Sequence, residues 1–282
     1  MQILIDANAK KIFQFKPNYN LDAATQQAER RKLDAFGMFA KIKFWDKPKE
    51  EEIIINQKTL QYEPFWHCLA ERRCQYTKNE HYSIKTKSQS AIKIELAGKL
   101  IPSNNNIFIV DAIEHCSHTN KFDQFFPGLS KQEKSLDIYR KKFGSMLEQL
   151  ESIDASICLE PQQRASLIIQ TAVKNITIPF DADNITEDTI EISSLHLYYK
   201  PVYNFEFSWP AKGSSGIIQI DGLTGDVVAQ SDTRIQKIAS KIITRDNIFD
   251  LGGEIAGSIV PGGSAIVKAI NIVTKEINDD KT

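Results

Sequence analysis

The sequence predicts an α+β protein made of two related helix-plus-antiparallel-sheet modules with a C-terminal helical appendage, and three observations lead there. First, the chain resembles itself: Tyr62-Glu63-Pro64-Phe65-Trp66 returns as Tyr199-Lys200-Pro201-Val202-Tyr203. The alignment runs back without a gap through Leu60 on Leu197, Ile55 on Ile192 and Ile53 on Ile190. Second, each copy has a helical apolar stripe ahead of runs rich in β-branched and aromatic residues. Third, the remainder of the chain reads as basic and amphipathic. The organisation is therefore a first module over 1–126, a connecting helix within 127–159, a second module over 160–230 and a helical tail over 231–282.

In the first module, alternating Ile3 and Ile5, a turn near Asn8 and Ile12-Phe13-Gln14-Phe15 read as a small hairpin. Asn20 can cap a helix from Leu21 to about Ala40, whose stripe is Ala24, Ala28, Leu33, Phe36 and Phe39. Strands are expected at 53–62, 65–76, 91–101 and 107–113. Ser130 to Glu151 reads as one longer helix, with Leu136, Tyr139, Phe143, Leu147 and Leu150 on one face. The second module repeats the order, with a helix over 161–173 and strands at 189–199, 202–209 and 216–220. Proline cannot donate to a ladder, so Pro64 and Pro201 are expected at equivalent bends.

Composition bounds the function. The 282 residues are 41% hydrophobic and 25% charged, enough for real cores. With 35 basic and 36 acidic residues there is no global field to gather nucleic acid, which is excluded as a partner class. The N-terminus lacks a basic region followed by an apolar run, so a cytoplasmic location is expected, with peripheral membrane contact through the tail as an extension of it. Cys68, Cys74, Cys116 and Cys158 then read as reduced thiols.

Residues Ile218-Gln219-Ile220-Asp221-Gly222-Leu223-Thr224-Gly225-Asp226-Val227-Val228, with the strand around Tyr203 to Phe207, resemble the closing hairpin of PepSY-type modules. In those modules a helix precedes an antiparallel sheet that ends in an Asp-x-x-Thr-Gly turn, and the helix over 161–173 stands in the matching place. The resemblance covers roughly 70 residues and implies a small binding or inhibitory module.

No catalytic signature accompanies these features. Tyr62, Trp66, Tyr199 and Tyr203 are either core aromatics or the lining of a ligand groove. His67, Cys68, His115, Cys116 and His118 are the right ligand types for zinc, but they lack a paired Cys-x-x-Cys framework, and no cofactor is expected. In the tail, Arg234, Lys237 and Lys241 flank an apolar helical face, and Ile255, Ile259 and Ile266 belong to a run broken by Pro261-Gly262-Gly263, which suits a hinged docking hairpin. The function expected is a non-enzymatic interaction or assembly subunit, with a protein partner or further copies of itself. A metal-dependent enzyme or regulator and a cytosolic inhibitor-like module are the alternatives.

Overall fold

A computed structural model describes residues 1–36, 49–129, 136–230, 244–250 and 266–269. Eleven strands are present among them: β1 (Gln2–Ile5), β2 (Lys10–Phe15), β3 (Ile54–Lys85), β4 (Lys93–Leu96), β5 (Lys99–Pro102), β6 (Ile107–Pro127), β7 (Leu147–Leu150), β8 (Asn184–Trp209), β9 (Ser214–Asp221), β10 (Val227–Gln230) and β11 (Ile266–Ala269). The helices are α1 (Leu21–Arg30), α2 (Asp137–Phe143), α3 (Ala165–Ile176) and α4 (Arg245–Ile248), with short 3-10 turns.

The fold class differs from the expectation. Just over half of the described residues are in strands and roughly a fifth in helices, and nine strands form one mixed sheet, so this is not a pair of helix-plus-sheet modules. The reason lies in β3 and β8, which are 32 and 26 residues long and pair with each other antiparallel along nearly all of β8 and along β3 as far as Thr77. The two similar segments meet there. Tyr62 faces Pro201, Glu63 faces Lys200 and Pro64 faces Tyr199, so the local repeat becomes an approximate two-fold between adjacent strands.

The outer edges of β3 and β8 follow that two-fold. Beside β8 lie β1 and β2, both parallel to it, and then antiparallel β9; beside β3 lie the Cys158 segment, bridged in parallel to Tyr62, and then antiparallel β6. Each proline sits at a handover between neighbours. The Pro64 carbonyl accepts from Gly128 N at 3.0 Å, and that of Pro201 from Gly222 N at 2.8 Å. A residue's N–H and C=O leave a strand on the same side, so each missing N–H faces the handover and costs the β3–β8 ladder no bond. The ladder's register shifts fall elsewhere, at Ile55/Gln57, Leu69/Ala70 and Gln75/Tyr76.

Helix placement obeys the same relation. Asn18 N and Tyr19 N donate to the Gly222 carbonyl just before α1, and Gln162 N donates to the Gly128 carbonyl just before α3. The Tyr203 hydroxyl donates to Tyr19 O at 2.8 Å, and Trp66 Nε1 donates to Gln163 O at 2.9 Å. Helix α1 thereby covers Tyr203, Phe205, Phe207, Ile218 and Ile220, while Ile168, Ile169, Ala172 and Val173 of α3 pack into a larger core with Trp66, Leu195 and Leu197. On the opposite face Phe15, Phe65, Tyr198, Leu136 and Leu223 form a third core.

Three further expectations are corrected. Ile3–Ile5 and Ile12–Phe15 do not pair as a hairpin; β1 and β2 run one after the other along β8. The helix foreseen over 130–151 covers only α2 among the described residues, because Leu147–Leu150 instead supplies β7 to the open edge of β2, with Phe15 opposite Leu147 and Ile12 opposite Leu150. The strand foreseen at 91–101 is two, β4 and β5, joined through Ala97 and Gly98 at φ of 47° and 76°. Two consecutive left-handed residues make the tight turn a twisted two-stranded ribbon needs.

Candidate functional site

The candidate groove residues are all interior. Trp66 and Tyr199 are fully buried, and Tyr62 and Tyr203 are each 5% exposed. Tyr62 and Tyr199 flank the approximate two-fold beside Gln14 and Cys158, with Gln14 opposite Tyr199 and Cys158 opposite Tyr62. Burial pushes both phenol groups above their ordinary range, Tyr199 further, and the Tyr199 hydroxyl has no hydrogen-bond partner. These side chains hold the sheet to its helices rather than lining an open cleft.

The metal candidates are split by the strand register. Cys74 faces His118, Tyr76 faces Cys116 and Thr77 faces His115, whereas Cys68 faces Gln124 and His67 faces Phe125. Along an extended strand that leaves roughly 20–33 Å between His67 or Cys68 and the His115–His118 group. Among the described residues no cluster of three or more His, Cys, Asp or Glu side chains is placed to hold one ion. Burial pushes the Cys68 and Cys158 thiols up to about 12 and raises Cys74 as well, so these three stay protonated and unreactive at neutral pH.

Of the docking residues assigned to the tail, Arg234, Lys237, Lys241, Ile255 and Ile259 lie outside the described residues. Ile266 opens β11, whose backbone pairs in parallel with β1. That part of the tail extends the protein's own sheet. Among the described residues no helix is long and apolar enough to cross a membrane.

The structure brings together groups that sequence reasoning passed over. On the sheet face away from α1 and α3, Lys200 Nζ lies 3.4 Å from Glu63 Oε2 and 3.7 Å from Asp221 Oδ2, and the Tyr139 hydroxyl donates to Asp221 Oδ2 at 2.6 Å. One rung along, Asn204 Nδ2 donates to Gln61 Oε1 at 3.0 Å and Gln219 Nε2 to Asn204 Oδ1 at 2.7 Å. Farther along β3, His67 faces His196, with Nε2 of His67 2.7 Å from Asp123 Oδ1. The sequence signal was the polar alternation of Gln61, Glu63 and His67 between apolar Tyr62, Pro64 and Trp66. Desolvation lowers the affinity of both imidazoles for a proton, taking His196 to about 4.

A second unforeseen feature is an arm. Pairing with β8 ends at Thr77 opposite Asn184, yet β3 and β6 continue together to Lys85 opposite Ile107. The two-stranded extension is roughly 25 Å long and carries the β4–β5 hairpin in the connection at its end. His81 and Asp111 bridge across it at 2.6 Å, and the Tyr82 hydroxyl donates to Glu114. Tyr82, Ile84, Ile92, Leu100, Ile109 and Ile113 on the arm and its hairpin are all exposed.

The Asp221–Asp226 turn is closed by its own side chains. Asp221 Oδ1 accepts from Leu223 N and Thr224 N, the Thr224 hydroxyl donates to Asp226 Oδ2 at 2.9 Å, and Gly225 has φ of 77°. No protein-family model, curated protein or solved structure matches this chain.

Proposed function

We propose that this chain is a non-enzymatic interaction or assembly protein that engages its partner through the β3–β6 arm. One observation carries the reading: of thirteen large hydrophobic side chains exposed among the described residues, eight lie between Tyr82 and Ile113. A two-stranded ribbon with no core of its own is marginal in water, and clustered apolar surface on it favours contact with another surface. Both ribbon faces contribute, Tyr82 and Ile84 on one and Ile107, Ile109 and Ile113 on the other, so a partner could clasp the arm or add a strand along it. The rival enzyme reading draws no nucleophile from Cys68, Cys74 and Cys158, whose buried thiols stay protonated. The inhibitor-like reading drawn from the PepSY likeness rests on a turn whose polar groups already serve the hairpin.

The test shortens the arm, replacing 79–113 by Asn-Gly between Lys78 and Glu114, which are opposite each other in the ladder. The shortened protein should keep its melting temperature. It should lose the self-association, or the stoichiometric co-purifying partner, that the full chain shows by sedimentation velocity and native mass spectrometry. Association unchanged by the deletion, or a full chain that neither self-associates nor co-purifies with a partner, would overturn the reading.

A further inference from the structure

We propose that His67 and His196 form a two-coordinate site for copper(I), a soft monovalent ion. The two imidazoles are directly opposed across β3 and β8, with ring centroids 6.0 Å apart. Asp123 comes from β6, on the other side of β3, and takes the His67 Nε2 hydrogen at 2.7 Å. A carboxylate only accepts, so Nε2 holds the ring hydrogen and Nδ1 keeps a bare lone pair. His67 is 2% exposed, and that Nδ1 is buried without a hydrogen-bond partner. The two nitrogens of an imidazole point to nearly opposite sides of the ring. With Nε2 turned to β6, an Nδ1 directed at β8 meets His196, whose Nδ1 lies 3.3 Å from the Tyr198 hydroxyl and whose Nε2 is the second ligand.

An orphaned buried nitrogen costs free energy unless something binds it. A metal ligand held by a carboxylate on its other ring nitrogen is the usual arrangement of metal-bound histidine. Two metal–nitrogen bonds of about 2 Å, with each nitrogen about 1.1 Å from its ring centre, place the centroids of collinear imidazoles roughly 6 Å apart. The observed spacing matches. Zinc fits poorly, because it needs four ligands and no third His, Cys, Asp or Glu joins the pair among the described residues. The charged neighbours are Asp123, bonded to His67, with Arg140 bearing on both rings and Lys11 on His196. One carboxylate against two cations leaves net positive charge at the pair, which opposes a divalent ion more than a monovalent one. Phe125 packs 4.4 Å from His67 and Phe13 5.2 Å from His196, centroid to centroid, which screens the ion from water.

The full chain should be titrated anaerobically with copper(I) against a chromophoric copper(I) chelator. One equivalent should bind, with X-ray absorption showing a two-coordinate nitrogen shell. His196→Gln should weaken binding about 100-fold, and Asp123→Asn about tenfold, while Cys116→Ser leaves it unchanged. His196 is partly exposed, so its variant folds even where His67→Gln does not. Sulfur in the copper shell, or equal affinity in His196→Gln and the unaltered protein, would overturn the proposal.

Discussion

Glu63 lies directly opposite Lys200 at the centre of the β3–β8 ladder, its carboxylate 3.4 Å from the ammonium, with both side chains inside the protein. Removing one member of a buried pair leaves an uncompensated charge, which costs about 3–5 kcal/mol. Lys200→Met strands two carboxylates, Glu63 and Asp221, whereas Glu63→Gln leaves Lys200 beside Asp221. Urea denaturation should therefore show Lys200→Met to be the more damaging change. Equal losses would mean that Asp221 contributes nothing to holding the lysine.

Gly128 and Gly222 occupy related positions but differ in clearance. A Cβ at Gly128 would lie 2.3 Å from the Pro64 carbonyl oxygen, while one at Gly222 meets Pro201 at 3.0 Å. Backbone must shift in the first case, and a few tenths of an ångström suffices in the second. Gly128→Ala should cost upwards of 2 kcal/mol and Gly222→Ala about 1 kcal/mol, in the range of core overpacking. Thermal melts of the two variants side by side measure the difference.

Trp66 and Tyr203 each donate one hydrogen bond to the carbonyl at the entrance of a helix. Tyr203→Phe and Trp66→Phe remove that donor and should each cost about 1 kcal/mol for the bond, with Trp66→Phe losing further packing volume. Amide hydrogen exchange should show the loss locally, at the first turn of α1 for Tyr203→Phe and of α3 for Trp66→Phe. Uniform loosening of both helices by either change would contradict the separate anchoring.

His67 and His196 bind protons more weakly in the fold than in the open chain, His196 down to about 4, because desolvation disfavours the imidazolium. Between about pH 6.5 and 4 the unfolded chain therefore holds more protons, so this contribution to stability is complete above pH 6.5 and is lost as pH falls toward 4. The expected loss is on the order of 1–2 kcal/mol, less than the full shift implies, because His196 is partly open to solvent. Urea midpoints across this window should fall with acidification, and His196→Gln should flatten the profile. An identical slope in the variant would assign the acid sensitivity elsewhere.

Local features were legible in the residues alone. Asn20 caps α1, its side chain accepting from Ala23 N at 2.8 Å, and helices and strands of the right kind follow it because capping, apolar period and β-branched runs act over a few residues. The likeness of the Tyr62 and Tyr199 segments was equally visible. That they would pair with each other was not, since period-2 alternation states which face a side chain takes and says nothing of which strand lies beside it. Long-range pairing made a single sheet of what read as two modules, turned Leu147–Leu150 from helix to strand and buried Tyr62, Trp66, Tyr199 and Tyr203. The same register separated His67 and Cys68 from His115 and set His67 against His196, 129 positions away in the chain. Sequence by itself determined the α1 cap and most of the strand positions, because these are properties of neighbouring residues. Tertiary structure alone decided the sheet order, the projecting arm and the histidine pair, because each depends on which distant backbone supplies the missing hydrogen bonds.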